Sequence, residues 1–304
     1  MSKDRRILVL GAGDFATGVI RRLFIAGFDV VATELERPLT VRRLVAFSEA
    51  VYRERHAVEG VTAVLSSFDR WEEHLADGLV PVVVDPRGRL RETRAFGAIV
   101  DARMAKRNLD TKVTDAPIVI GLGPGFEAGV DCHAAIETLR GENLGRVIRS
   151  GRPAPNTGLP DAVDLELLRA PCCACSPSDA PCSADDRIED LVLFARRDGL
   201  FRTEREIASL VRKDDILGSI AGEQITAGAE GALRGLLHDG LEIRKGTKLV
   251  EIDPTGDPSR CFRISAKANA IAGGVLEAVF ALRGSIPPGR SADAHGQRSR
   301  SLSE

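Results

Sequence analysis

The strongest constraint on the fold is a glycine-rich turn that joins an apolar segment to a helical stripe. Residues 7–10 are apolar without interruption, as in a strand buried on both faces. Apolar side chains then recur at helical spacing over residues 15–24, and Gly27 ends the pattern. The turn between them, residues 11–16, matches G-x-G-x-x-[G/A]. This combination predicts a phosphate-binding site at the start of the helix.

Individual residues of this turn have predicted roles. Gly11 permits the tight turn, and Gly13 lets a phosphate approach the backbone. Glu34 and Glu36 end the next apolar segment, where dinucleotide-binding proteins use an acidic side chain to accept a hydrogen bond from ribose. Asp14 departs from the pattern, because a carboxylate there repels a pyrophosphate unless it caps the helix. The alternative is a glycine turn that serves packing only.

A second glycine-rich loop follows the apolar residues 118–120 and precedes residues 129–139, which we predict to be helical. Its glycines would let a ligand approach main-chain amides; they are Gly121, Gly123 and Gly125. A polar segment upstream is placed to bind an anion at the same sheet edge; it consists of Lys106, Arg107 and Asn108. The alternative is a tight turn beside a solvated basic pair.

Strand and helix patterns alternate through the first 150 residues. Strand patterns occur at residues 29–33, 80–84 and 98–100, and helical patterns at residues 71–76 and 38–52. Such alternation predicts an α/β fold with a doubly wound, Rossmann-like parallel sheet.

The second half of the chain has a different sequence pattern. Short apolar segments punctuated by glycine begin at residue 198, and residues 211–217 weakly repeat as residues 243–249. Two such half-units predict a small β-rich barrel-sandwich that resembles lipoyl and biotinyl carrier modules. Those modules modify a lysine between the halves, whereas residues 222–226 contain none, so we do not expect a carrier role.

The patterns divide the chain into four predicted segments. These are a Rossmann-like ligand-binding domain (1–150), a linker with a cysteine-containing insertion (151–197), a β-rich sandwich with a C-terminal helix (198–284) and a disordered tail (285–304).

Composition argues against several classes of partner. The formal net charge is -2, from 42 basic and 44 acidic residues, and aromatic residues make up 4%. Neither a basic surface nor stacking platforms for nucleic acid are therefore expected. No apolar run reaches the roughly 18 residues of a membrane span, and the N-terminus does not resemble a signal peptide. We expect a cytoplasmic protein without a membrane partner.

Four cysteines lie within a short proline-containing stretch. They are Cys172, Cys173, Cys175 and Cys182. The C-x2-C spacing of Cys172 and Cys175 is common in zinc and iron–sulfur sites. Adjacent cysteines are awkward ligands, because neighbouring side chains of an extended chain point in opposite directions. The alternative is an exposed loop without a fixed role.

Many segments in order resemble YqeB-type accessory proteins of selenium-dependent molybdenum hydroxylases. The matching stretches are residues 11–18, 33–39, 57–63, 104–109, 114–117, 119–133, 155–158, 233–236, 252–254, 264–265 and 273–277. Within the first stretch, Thr17 and Gly18 extend the glycine turn and join the candidate ligand-binding residues. The cysteines fall on an insertion relative to this family, so a metal role common to the family is not expected.

This resemblance implies a role in maturation of a molybdenum hydroxylase. The expected ligand at the glycine-rich loops is the molybdenum cofactor, a pterin that carries a phosphate, or a nucleotide. The expected partner is the hydroxylase apoprotein. We expect an accessory factor without a catalytic residue of its own. Two alternatives remain open: an NAD(P)-dependent oxidoreductase that uses the first glycine turn, and a redox or metal sensor that uses the cysteine insertion.

Overall fold

The structure is a computed structural model that describes residues 3–93, 95–156 and 190–284. The four clustered cysteines and the C-terminal tail lie outside these residues. In the described part, the chain forms one large mixed sheet, two small antiparallel sheets and few helices.

The large sheet has nine strands in the described residues, in the order β3-β4-β5-β2-β1-β6-β7-β8-β9. The strands are β1 (Arg6–Leu10), β2 (Asp29–Glu34), β3 (Arg55–Val58), β4 (Val61–Ser66), β5 (Val80–Val84), β6 (Ala98–Asp101), β7 (Ile118–Leu122), β8 (Ala134–Ile136) and β9 (Val147–Ile148). The pairings from β4 to β8 are parallel, whereas the two edge strands are antiparallel to their neighbours. The carboxyl ends of the parallel strands therefore share one edge.

Helix α1 (Asp14–Ile25) follows β1 and packs against the C-terminal helix α4 (Ala266–Leu282). Gly18 allows this close approach, because a Cβ there would lie 3.1 Å from the Cβ of Ala268. The side chain of Ser265 caps α4 by accepting a hydrogen bond from the Ala268 N–H. Together the two helices cover the main hydrophobic core on one face of the sheet.

Two shorter helices complete the helical part of the described chain, α2 (Ala50–Arg53) and α3 (Trp71–Ala76). On the second face of the sheet, the core contains Trp71 of α3, with Phe96 and Leu90 packed around it. Most of this face is covered by loops and turns rather than by long helices.

Before α4, the described residues of the C-terminal half form two four-stranded antiparallel sheets, in the orders β10-β17-β15-β12 and β14-β13-β11-β16. Their strands are β10 (Val192–Phe194), β11 (Gly199–Arg202), β12 (Leu210–Val211), β13 (Ile216–Ile220), β14 (Glu223–Thr226), β15 (Gly231–Leu236), β16 (Leu241–Ile243) and β17 (Lys248–Asp253). Their shared core includes Phe201, Leu217 and Leu249. Val41 of the N-terminal half also joins this core, so the two halves are packed together.

The predicted fold class, a Rossmann-like doubly wound sheet followed by a lipoyl-like sandwich, is wrong. A doubly wound sheet needs a helix in each crossover and helices on both faces. In the described residues, the β6–β7 and β7–β8 crossovers contain loops, and the β5–β6 crossover contains a 3-10 turn, Arg89–Thr93. The sheet is also mixed, and one of its two long helices, α4, comes from the far end of the chain.

Two local helix predictions are also wrong. Between residues 38 and 52 the chain forms two 3-10 turns and the first residues of α2. The Val41 carbonyl accepts a hydrogen bond from the Leu236 N–H at 2.9 Å, so it is engaged by a strand instead of a helical turn. Within residues 129–139 the chain forms strand β8. That strand is buried and pairs with β7, so tertiary contacts override the helical pattern.

One segment, Pro258–Leu282, is long and apolar enough to cross a membrane by length and composition alone. Half of it is buried, because α4 uses its apolar side against α1 and the sheet. A core helix passes the same test, so the fold is consistent with a soluble protein. The cytoplasmic compartment stays a prediction.

Candidate functional site

The first glycine turn lies at the carboxyl edge of the large sheet, between β1 and α1. Gly11 has a φ of +98°, a left-handed conformation that favours glycine. A Cβ at this position would approach the carbonyl oxygen of Ala102 to 3.1 Å. The tight turn predicted for Gly11 is therefore required by the backbone and by the neighbouring chain.

Gly13 stands directly before α1, and a side chain there would make only an ordinary van der Waals contact. Its φ of -64° and ψ of -176° are accessible to any residue. A Cβ there would meet only the Thr40 Oγ1 among the described atoms, at 3.7 Å. No side chain of the described residues caps the helix at Gly13. Neither conformation nor packing requires glycine here, whereas a ligand that approaches the N–H groups of the first turn would.

Glu34, the predicted ribose-binding acid, is engaged by backbone N–H groups of two other residues. Its Oε2 accepts a hydrogen bond from the Ala12 N–H at 2.8 Å, and its Oε1 accepts one from the Leu35 N–H at 2.8 Å. Burial raises the pKa of Glu34, and these hydrogen bonds offset it only in part. The carboxylate therefore holds the glycine turn in shape. Glu36 is exposed at the end of β2.

The charge of Asp14 is compensated by neighbouring cations. Arg42, only 6% exposed, places Nη1 3.7 Å from Asp14 Oδ2. Lys267 of α4 is also buried, with its Nζ 5.2 Å from the ring centroid of Phe15. Burial, reinforced by Arg140, lowers the pKa of Lys267 to about 8, whereas Asp14 and Glu137 act in the opposite direction. Asp14 therefore does not give a net negative charge to the turn between β1 and α1 (residues 11–14, the first corner).

Thr17 and Gly18 have structural contacts within α1. The Thr17 hydroxyl donates to the Gly13 carbonyl at 2.9 Å and accepts from the Phe47 N–H at 2.8 Å. Gly18 faces α4, as described above. These two residues support the first corner through contacts on the protein side of α1.

The glycines of the second loop are surrounded by protein atoms. A Cβ on Gly121 would lie 2.3 Å from the ring of Phe126, and one on Gly123 would lie 2.5 Å from the Thr138 hydroxyl. A Cβ on Gly125 would lie 2.3 Å from the Cα of Arg107. Packing therefore accounts for all three glycines, and their role in ligand binding stays a prediction.

Part of the polar segment before this loop is already engaged in hydrogen bonds within the protein. Asn108 closes a local turn: its Oδ1 accepts from the Thr111 N–H, and its Nδ2 donates to the Thr111 carbonyl. Lys106 and Arg107 are exposed. The structure brings the backbone of Arg107 against Gly125 and leaves both basic side chains facing outward.

Sequence reasoning missed a polar network at the carboxyl end of β6. Arg103 donates to both oxygens of Asp101, at 3.0 and 2.6 Å, and also to Asp110 at 2.7 Å. The Thr111 hydroxyl donates to Asp101 at 2.6 Å. The available signal was an aspartate that ends a buried strand, followed two residues later by an arginine. This network fixes the loop that carries Lys106.

A cavity of about 200 Å³ at the carboxyl end of β5 was also missed; its lining is Asp85, Pro86, Arg87 and Arg89. Asp85 is 3% exposed and follows an apolar strand directly. Its backbone N–H donates to the Glu34 carbonyl at 2.9 Å. The cavity thus opens on the same sheet edge as the first glycine turn, two strands away.

The predicted metal ligands Cys172, Cys173, Cys175 and Cys182 lie outside the described residues. Within the described ranges, no group of three or more His, Cys, Asp or Glu side chains is arranged to hold a metal ion. The two described cysteines, Cys132 and Cys261, are buried free thiols. Burial raises the pKa of Cys132 to about 11, so this thiol is inert at neutral pH.

Fold and site together define an α/β protein with a glycine turn before a helix at the carboxyl edge of a mixed sheet. The chain is 40% identical over 282 residues, 92% of its length, to the uncharacterized protein YqeB of Escherichia coli (strain K12). The chain spans about half (48%) of that curated relative. The YqeB-type resemblance is thus confirmed at the level of sequence. No family model matches the chain.

Similarity to solved structures is weak. Product-bound ectoine utilization protein EutE (DoeB) from Ruegeria pomeroyi aligns with 12% identity over 81% of this chain and 84% of its own, at a TM-score of 0.23. A succinylglutamate desuccinylase from Silicibacter sp. TM1040 aligns with 13% identity over 83% and 85%, at a TM-score of 0.22. Scores this low carry no argument about fold or function.

Proposed function

We propose that the first glycine turn binds the phosphate group of a small ligand. The observation that carries this proposal is the glycine directly before α1, Gly13, at a position where neither conformation nor packing calls for glycine. The N–H groups of the first helical turn supply donors, and the helix dipole favours an anion. Arg42 and Lys267 offset the charge of Asp14.

The ligand indicated by the YqeB-type resemblance is the molybdenum cofactor, and the role is that of an accessory factor for a molybdenum hydroxylase. The cofactor supplies the metal chemistry of that client enzyme. This chain contributes a phosphate-binding site and a surface that binds the apoprotein. It contributes no catalytic residue of its own. The first corner suits a single phosphate, because it offers the backbone donors of the first helical turn, without a side-chain cap in the described residues, and cations that compensate the charge of Asp14.

The competing function, an NAD(P)-dependent oxidoreductase, has less support. Glu34 would have to release the Ala12 N–H to bind a ribose hydroxyl. Tyr52, the single tyrosine of the chain, donates its hydroxyl proton to the Pro38 carbonyl and packs its ring 3.9 Å from that of His238. It is thus held between the two halves of the protein.

Calorimetric titration with isolated molybdenum cofactor, pyrophosphate, NADH and NADPH tests this function. We expect saturable binding of the cofactor and of pyrophosphate, with competition between the two, and no turnover of either nicotinamide. Tight nicotinamide binding with hydride transfer would replace the accessory role by an oxidoreductase. Failure of the cofactor and of pyrophosphate to bind would refute the phosphate site itself.

A further inference from the structure

The loop that follows β6, residues 102–108 (the β6 loop), borders the first corner. A Cβ on Gly11 would lie 3.1 Å from the carbonyl oxygen of Ala102 and 3.3 Å from the nitrogen of Arg103. The side chain of Met104 packs against the hydrophobic core that α1 covers. The β6 loop therefore passes the glycine turn on the face of the sheet that carries α1.

Two residues of the β6 loop have a backbone conformation that residues other than glycine rarely adopt. Met104 has a φ of +54° and Lys106 has a φ of +61°, whereas Ala105 between them has a negative φ. Left-handed residues of this kind cost energy and cluster at ligand-binding sites. Residues that alternate in the sign of φ can also turn successive N–H groups toward one side of the chain, as in anion-binding nests.

The main-chain donors of this stretch are not used within the protein. The N–H groups of Met104, Ala105 and Lys106 form no hydrogen bond with another of the described residues. Ala105 and Lys106 are exposed, so a ligand can reach this part of the loop. Backbone donors are normally paired, and these three call for water or for an acceptor from outside the chain.

The side chains give the β6 loop a positive charge. Lys106 and Arg107 are exposed, and neither forms an ion pair with a described residue. The carboxylates on either side of the loop, Asp101 and Asp110, both accept hydrogen bonds from Arg103, at 2.6 and 2.7 Å. Their charges are thereby compensated, and the loop presents two cations to an anion.

Both ends of the β6 loop are fixed by hydrogen bonds. The Arg103 N–H donates to Asp101 Oδ1 at 3.1 Å, and the Asn108 N–H donates to the Gly125 carbonyl at 3.2 Å. The donors between these ends are thus held in place before a ligand arrives, which lowers the entropy cost of binding.

We propose that the β6 loop binds the second phosphate of a diphosphate whose other phosphate lies at the first corner. Strand β6 is the neighbour of β1, and neighbouring strands are about 4.8 Å apart, so the two subsites are close enough for phosphates that share a bridging oxygen. The inference rests on the proposed function, because it names the class of ligand that the first corner takes. That class is a diphosphate ester, as in a nucleotide-linked ligand, rather than a monophosphate.

Calorimetric titration of the full chain with pyrophosphate and with orthophosphate tests the second subsite. Lys106→Pro cannot adopt a φ of +61° and removes one N–H, whereas the double variant Lys106→Ala with Arg107→Ala removes both cations and keeps the N–H groups. We expect each variant to bind pyrophosphate roughly tenfold more weakly than wild type, with a smaller loss for orthophosphate, because only the diphosphate reaches both subsites. Lys245→Ala, exposed in the turn between β16 and β17, is the matched charge control and should keep both affinities.

The outcomes separate this inference from the phosphate site at the first corner. Unchanged pyrophosphate affinity in both loop variants would refute the second subsite and leave the first corner standing. Equal losses for pyrophosphate and orthophosphate would refute the diphosphate, since the loop would then act on a single phosphate. Absence of pyrophosphate binding in the wild type would refute both subsites. If Lys106→Pro does not fold, the double alanine variant still decides.

Discussion

Glu49 and His238 join the two halves of the protein through a hydrogen bond of 2.8 Å between Glu49 Oε2 and His238 Nε2. Glu49 is 1% exposed, and its Oε1 also accepts from Arg53 Nε at 2.7 Å. Arg43 Nη1 lies 3.2 Å from the other ring nitrogen of His238. The imidazole thus has a partner on each nitrogen, which fits a structural role at this interface.

We predict that Glu49→Gln lowers the free energy of unfolding by about 1.5–3 kcal/mol, the range for buried hydrogen bonds to charged groups. The change leaves Arg53 and Arg43 without their carboxylate partner. Urea unfolding measures the effect. Glu73→Gln is the control: Glu73 is 62% exposed and pairs with an exposed arginine, so its loss should be within about 0.5 kcal/mol. Equal effects of the two substitutions would contradict a buried interface bond.

The same pair predicts a pH dependence. Burial raises the pKa of Glu49, but the hydrogen bond from His238 and the charges of His238, Arg43 and Arg53 outweigh it, so the pKa is lowered. A carboxyl with a lowered folded-state pKa stabilises the protein above its unfolded pKa, and this contribution is lost as pH falls through the folded pKa. The stability difference between wild type and Glu49→Gln should therefore shrink below about pH 4. A difference that stays constant from pH 7 to pH 3 would refute this account.

Gly13→Ala should weaken ligand binding without loss of stability. The backbone at Gly13 accepts alanine, and the nearest described atom to its Cβ would be 3.7 Å away. The methyl group would stand where a phosphate approaches the helix, so we expect roughly tenfold weaker binding of pyrophosphate by calorimetry, about 1.4 kcal/mol. Unchanged affinity would remove the observation on which the phosphate site rests.

Gly97→Ala, before β6 at the opposite edge of the sheet, is the control for Gly13→Ala. Its Cβ would lie 2.8 Å from the Cα of Asp4, and overpacking of this kind costs about 1–3 kcal/mol. The control should lower stability and leave the affinity of the folded fraction for pyrophosphate unaltered. A stability loss in Gly13→Ala that matched this one would indicate that Gly13 serves packing after all.

The local parts of this corner could be predicted from the sequence, whereas its surroundings could not. The apolar run before Gly11 and the helical stripe after it specify β1 and α1 through periodicity between near neighbours. The contacts of Asp14 with Arg42 and Lys267 depend on chain segments far apart in sequence. Local patterns do not encode such distances.

The second glycine loop shows the same limit. Strand β7 was predicted from its apolar residues, but the ring of Phe126 over Gly121 follows only from the folded loop. Strand β8 was mistaken for a helix because three buried residues satisfy both periodicities. Alternating strand and helix patterns, with strands apolar on both faces, predict a Rossmann-like fold. These patterns do not reveal that crossovers lack helices.

The charge of Lys267 should make anion binding depend on pH. Burial, with Arg140, lowers the pKa of Lys267 to about 8, so this side chain loses its proton as pH rises through that value. A bound anion favours the charged form, so the affinity for pyrophosphate should fall between pH 7 and pH 9. At pH 7, Lys267→Met should bind roughly tenfold more weakly than wild type. The ratio of the two affinities cancels titration of pyrophosphate itself; a ratio that does not fall with pH would exclude Lys267 from the site.

Gly125→Ala should separate packing from backbone strain in the second loop. Gly125 has a φ of +106°, and a Cβ there would lie 2.3 Å from the Cα of Arg107. Gly129, in the same loop, has a φ of +91°, and a Cβ there would have no described atom within 4 Å. Both alanine variants bear the strain of a left-handed residue, about 1–2 kcal/mol, but only Gly125→Ala must also displace backbone.

We therefore expect Gly125→Ala to lose at least about 1 kcal/mol more unfolding free energy than Gly129→Ala, as measured by urea unfolding. Equal losses would mean that the loop can move away from Arg107. The three glycines of the second glycine loop would then have room for a ligand. That loop would again be a candidate phosphate site, in addition to the first corner. A larger loss of unfolding free energy in Gly125→Ala than in Gly129→Ala would show that the glycines of the second loop serve packing. The backbone of Arg107 would then occupy the space that a phosphate needs.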